Sequence, residues 1–101
     1  GSSATLECNF TSSNMNVTSI QWRKDVSQDV FFYNATTHLA LGSYSSRVIG
    51  SLSQNVHKLI ISSTQVSDAG SYNCTVFDNN GTSLSNSSDL VVTGKYIIPN
   101  L

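Results

Sequence analysis

Two cysteines, Cys8 and Cys74, stand in this chain with 65 residues between them. A pair so far apart is not a CxxC redox or zinc motif. It reads either as two unrelated buried thiols or as a disulfide joining opposite ends of the chain. A disulfide would imply an oxidising compartment. Closing a loop of this size stabilises a fold by roughly 4 kcal/mol in the chain-entropy model. The second cysteine lies in Ser67-Asp68-Ala69-Gly70-Ser71-Tyr72-Asn73-Cys74-Thr75, which makes two demands. Asn73-Cys74-Thr75 is an N-glycosylation sequon and wants Asn73 at the surface, while Cys74 belongs inside. A β-strand meets both demands, because successive side chains point to opposite faces.

At 101 residues the chain is one domain, with 39% hydrophobic residues to build a core. Only 11% of residues are charged, against roughly 25% in an average soluble protein. Its 19 Ser, 9 Thr and 10 Asn must therefore wet the surface. The net charge is −1, and no basic run exceeds Arg23-Lys24, so neither nucleic acid nor an anionic membrane is an expected partner. Apolar runs such as Leu59-Ile60-Ile61 are too short for direct membrane insertion. With no signal peptide visible, the chain is expected to be a mature fragment. Six sequons begin at Asn9, Asn16, Asn34, Asn73, Asn80 and Asn86. Random placement would give about 3, so the excess points to a secretory protein carrying N-glycans.

No window sustains a 3.6-residue apolar period. Period-two alternation recurs instead between Ser/Asn/Gly clusters, which is the all-β pattern. Ala4–Phe10 puts Leu6, Cys8 and Phe10 on one face, and Thr18–Arg23 puts Ile20 and Trp22 inward with Gln21 and Arg23 outward. Val30–Tyr33 is a short apolar strand, followed by a weaker one at His38–Leu41 and another at Ser46–Gly50. In His57–Ser62, Leu59 and Ile61 face inward. Ser71–Asp78 sets Tyr72, Cys74 and Val76 against Asn73, Thr75 and Phe77. Asn79-Asn80-Gly81 is a hairpin turn, and its return strand runs to about Thr93. Two packed antiparallel sheets are expected.

Ala4-Thr5-Leu6-x-Cys8, Trp22, Leu59-x-Ile61 and Asp68-x-Gly70-x-Tyr72-x-Cys74 together resemble the immunoglobulin superfamily over residues 1–93, leaving 94–101 as a tail or interdomain linker. The resemblance implies an immunoglobulin-like β-sandwich with Cys8 and Cys74 bridging its sheets, Trp22 packed on the sulfurs, and Tyr72 forming a tyrosine corner. It also implies that Gly70 serves the chain reversal and that Asp68 pairs with Arg47, otherwise a solvated turn cation. The long stretch between the cysteines has room for strands C′ and C″, so the domain resembles the variable type (V-set). Tyr33-Asn34 and Ser43–Val48 are similar to junctional adhesion molecules and the coxsackievirus–adenovirus receptor. Only seven residues precede Cys8, so strand A is expected to be short or absent. The apolar Lys95-Tyr96-Ile97-Ile98 is either linker or cover for the edge left open.

Chemistry is sparse. His38 and His57 lie in separate segments without a dyad partner and are expected at the surface. Asp78-Asn79-Asn80-Gly81 lacks the sixth-position Gly of an EF-hand loop, where Ser83 stands instead, so no metal or cofactor is expected. The chain does not read as an enzyme. In V-set relatives the outer face of the GFCC′C″ sheet recognises partners. By parity that face would carry Gln21, Arg23, Phe31, Tyr33, Asn73, Thr75 and Phe77, unless a bulge folds Phe31 or Phe77 into the sandwich. Exposed aromatic and Arg residues are types enriched at interface hot spots. The expected function is extracellular recognition for adhesion or receptor–ligand binding, with a protein partner or a second copy. The alternative is an innate-immune module that binds through the BC, C′C″ and FG loops, Thr11–Val17, Asn34–His38 and Asp78–Thr82.

Overall fold

A computed structural model describes residues 3–11 and 16–92, so the expected boundary near Thr93 and the tail over 94–101 lie outside the described residues. The alternating segments form eight strands: β1 (Ala4–Asn9), β2 (Val17–Lys24), β3 (Gln28–Asn34), β4 (Thr37–Ala40), β5 (Val48–Ser53), β6 (Val56–Ile61), β7 (Gly70–Asp78) and β8 (Ser83–Leu90). They pair antiparallel in two sheets, one ordered β1-β6-β5 and the other β4-β3-β2-β7-β8. The expected all-β sandwich is therefore present, with β3 and β4 as the two extra strands at one side of the larger sheet. Among the described residues no strand precedes β1, and its sheet partner is β6 alone.

Period two decides what each sheet buries. On β7, Tyr72, Cys74 and Val76 are 0–1% exposed, whereas Asn73 and Thr75 are half-buried and Phe77 is exposed. Cys74 meets Cys8 of the facing sheet in a disulfide with Cα atoms 6.1 Å apart. Trp22, Ile20, Leu59, Ile61 and Phe10 pack in the same core. The chain reversal into β7 holds its own polar lock. Arg47 donates from both terminal nitrogens to the Asp68 carboxylate at 2.8 and 2.9 Å, and the Gln65 backbone N–H adds a third hydrogen bond at 2.8 Å. The Tyr72 hydroxyl donates to the Asp68 carbonyl at 2.6 Å, which is the expected tyrosine corner. The Arg47 hydrogen bond holds the Asp68 carboxyl below its ordinary range, and Asp68 in turn raises Arg47. Gly70 adopts φ +154°, and a Cβ there would lie 2.8 Å from Cε of Lys24.

Three expectations need correction. The β2–β3 register shifts between Trp22 and Arg23: Arg23 pairs with Asp29, but Trp22 pairs with Phe31, so Val30 is an extra residue in β3. This bulge reverses the parity of the remainder of β3. Phe31 turns into the core, 2% exposed, and Tyr33, opposite Ile20, packs against the same core. Neither belongs to the outer face. Phe32, opposite Gln21, takes that place. The third correction is His57, which is fully buried rather than at the surface. It shares the inward parity of Leu59 and Ile61, and its Nδ1 accepts the indole N–H of Trp22 at 2.9 Å. Gly50 makes room for this cluster, since a Cβ there would lie 2.6 Å from the Phe31 ring and 2.9 Å from His57 Cε1.

Candidate recognition surface

The outer face of the five-stranded sheet is set by the registers. One row across it runs Ser85, Thr75, Gln21, Phe32 and Leu39. A row nearer the loops runs Ser83, Phe77, Ser19, Asn34 and Thr37, and a row on the other side runs Ser87, Asn73, Arg23 and Asp29. Gln21, Arg23, Thr75 and Phe77 thus stand together, as their parity in the sequence implies. Phe32, Asp29 and Leu39 join them. The run Val30-Phe31-Phe32-Tyr33 has no polar alternation, so its parity is not readable along the chain.

Within this face Gln21, Arg23, Val26, Asn73 and Thr75 line a recess of about 150 Å³. Its chemistry is mixed. Arg23 Nε donates to Asp29 at 3.0 Å, but both side chains remain about half exposed, so the pair contributes little stability and its charges stay accessible. Thr75 and Ser85 share a hydroxyl hydrogen bond at 3.0 Å. Asn73 Oδ1 is buried with no hydrogen-bond partner among the described residues. An unmatched acceptor of this kind costs the fold about 1–3 kcal/mol.

Val26 supplies the apolar wall, and no pattern in the sequence points to it. It lies in the three-residue turn between β2 and β3, with Asp25 and Val26 at φ +51° and +75°. A β-branched residue is strained there, at a cost of roughly 1–3 kcal/mol. Its side chain is nevertheless 76% exposed, so no packing within the domain offsets that cost.

The loops are organised differently. The β7–β8 turn is held by Asp78, whose Oδ1 accepts the N–H groups of Asn80 at 3.0 Å and Thr82 at 2.8 Å, while Gly81 provides φ +81°. This is the expected hairpin. A cleft of about 410 Å³ at the opposite end of β2 is lined by Lys24, Tyr44, Arg47 and Asp68, among others. Its charged groups bond within the fold: Lys24 Nζ donates to the Ser67 carbonyl, and Arg47 donates to Asp68. That cleft is structural. Among the described residues no group of three His, Cys, Asp or Glu could hold a metal, and no helix is long and apolar enough to cross a membrane.

The family model for the immunoglobulin V-set domain matches residues 1–93. The chain belongs to the immunoglobulin V-set family. β1 to β8 are therefore strands B, C, C′, C″, D, E, F and G in that family's lettering. Over 83 residues the domain is 31% identical to chicken (Gallus gallus) V-set and immunoglobulin domain-containing protein 1, a match covering 76% of this chain and 25% of that protein. Among solved structures it is similar to the amphioxus IgVJ-C2 molecule, with TM-score 0.72 and 27% identity over 91% of this chain and 52% of that one. The first Ig-like domain of human CD48 antigen shares the fold at TM-score 0.69 and 21% identity, over 100% of this chain and 84% of that one. V-set domains are in general non-catalytic binding modules, and a V-set sandwich with an internal disulfide is suited to an extracellular setting.

Proposed function

We propose that this V-set domain is an extracellular recognition module for adhesion or receptor–ligand binding, which engages a protein partner through the outer face of its five-stranded sheet. The observation that carries the reading is the recess formed by Gln21, Arg23, Val26, Asn73 and Thr75. It combines an unmatched buried acceptor, an accessible guanidinium and an exposed Val held at a strained backbone position. Strain of this kind is found where the residue serves a site rather than the fold. Phe77 at 36% exposure and Leu39 at 49% add apolar area on the same face. A second copy of the chain is the simplest partner to test.

The experiment compares the wild type with a face variant, Arg23→Glu combined with Thr75→Arg, and a loop variant with residues 79–82 replaced by a Gly-Ser turn. Self-association is read by sedimentation. Binding to other ectodomains is read by staining cells that display them with multimerised domain. The reading expects the face variant to lose binding at least tenfold while the loop variant keeps it. Loss in the loop variant with the face variant unaffected would transfer recognition to the loop end, at the FG loop.

A further inference from the structure

The six sequons differ sharply in their folded surroundings. Two of them, Asn9-Phe10-Thr11 and Asn34-Ala35-Thr36, close Asx turns at the loop end of the sandwich. Asn9 Oδ1 accepts the Thr11 backbone N–H at 2.9 Å. Asn34 Oδ1 accepts both the Thr36 N–H at 3.0 Å and the Thr36 hydroxyl at 3.2 Å. Each Asn is the last residue of its strand, β1 or β3; after Asn9 the Phe10 N–H still donates to the Asn55 carbonyl at 2.9 Å, whereas Ala35 and Thr36 form the β3–β4 turn. Each turn closes between groups only two residues apart in the chain, as Asx turns do. A hydrogen bond donated to Oδ1 draws electron density from the amide and makes the Nδ2 protons easier to lose.

Two others are held the opposite way. Asn73 lies in mid-β7, paired with Arg23 of β2 on one side and Ser87 of β8 on the other. Its Oδ1 is buried, its neighbour Cys74 is tied by the disulfide, and the Thr75 hydroxyl is shared with Ser85. Asn86 lies in mid-β8, and its Nδ2, the atom a sugar would occupy, donates to the Asn9 carbonyl at 3.2 Å. Neither segment can fold back into a turn without leaving its strand.

We propose that Asn9 and Asn34 carry N-linked glycans and that Asn73 and Asn86 do not. The co-reactant is a polyprenyl-diphosphate-linked oligosaccharide. Nδ2 of Asn9 or Asn34 forms a bond to the anomeric carbon of the first sugar. The anomeric C–O bond to the diphosphate breaks, and the polyprenyl diphosphate leaves with the electron pair. One Nδ2 proton passes to a base of the transferase. Asn34 pairs with Ser19, and Ser19 and Arg23 stand four residues apart on β2. At roughly 3.3 Å per residue, the Asn34 glycan would root about 13 Å from Arg23. The sugars would shade the loop end and leave the recess open.

The test is site occupancy on the full chain secreted from a eukaryotic cell line. Glycans are released enzymatically in heavy-oxygen water, which converts each occupied Asn to a mass-labelled Asp, and peptides are mapped by mass spectrometry. Label at Asn9 and Asn34 with none at Asn73 or Asn86 is the expected result. Label at Asn73 or Asn86, or its absence from either Asn9 or Asn34, overturns the proposal. The readout needs no ligand, so its outcome is separate from whether the sheet face binds.

Discussion

Mild acid should loosen this domain through one side chain. His57 is 0% exposed, and its Nδ1 is committed to the Trp22 indole. The imidazole proton must therefore reside on Nε2, which is buried with no hydrogen-bond partner among the described residues. The rings nearest it are those of Trp22, Phe31 and Tyr33, at centroid distances of 6.2, 5.6 and 6.0 Å, and none brings a carboxylate. Burial first, and then the charge of His38, lower its pKa from 6.5 to about 4. The unfolded chain thus takes up a proton that the folded chain resists. Stability is complete above pH 6.5 and falls as the pH drops toward 4. At about 1.4 kcal/mol per unit, the whole window is worth about 3 kcal/mol, of which about 2 kcal/mol is gone by pH 5. Asp68, also lowered, loses its contribution only below its ordinary value of 3.8, outside this window. The assay is urea denaturation at pH 7, 6 and 5, followed by the fluorescence of Trp22, the single tryptophan. His57→Gln serves as control, because its amide oxygen still accepts from the indole but does not titrate. A wild-type free energy that stays flat from pH 7 to 5 would refute the reasoning, as would an equal decline in His57→Gln.

The same packing makes three further outcomes testable. Gly50→Ala drives a Cβ against the Phe31 ring and His57, so calorimetry should show a destabilisation of about 1–3 kcal/mol. Arg47→Ala leaves the Asp68 carboxylate, 3% exposed, without its guanidinium; denaturant melts should show a loss of about 3–5 kcal/mol, whereas Arg23→Ala should cost under about 1 kcal/mol. Val26→Asn relieves the positive φ and should stabilise by about 1 kcal/mol. If Val26 serves recognition, the same variant binds more weakly. An unchanged or lower stability would show that the turn is not strained.

The two-sheet sandwich is legible because its determinants are local and periodic. Alternation around Cys8, Trp22, Leu59 and Cys74 names the inward face of each strand, and Asp68, Gly70 and Tyr72 occupy positions where a chain reversal needs those chemistries. Parity places Gln21, Arg23, Thr75 and Phe77 correctly for the same reason. It would place His57 too, since that residue shares the phase of Leu59 and Ile61. Its imidazole reads as polar along the chain, while the partner that makes burial tolerable, Trp22, lies 35 residues away in sequence.

The β3 strand shows where local reading stops. Val30, Phe31, Phe32 and Tyr33 are all apolar enough for either face, so no pattern marks the residue that is skipped. The bulge arises from pairing: Phe31 enters the core beside Trp22 and over Gly50, and Phe32 is turned outward as a consequence. Val26 is a similar case, because its φ is set by the closure of β2 on β3 rather than by its own preference. The chain's own sequence determined the sandwich, the disulfide partners and most of the exposed row on strands C and F. Only the tertiary structure decided which aromatics reach that face and which sequons are locked in mid-strand, because both depend on registers between strands that the sequence does not set one residue at a time.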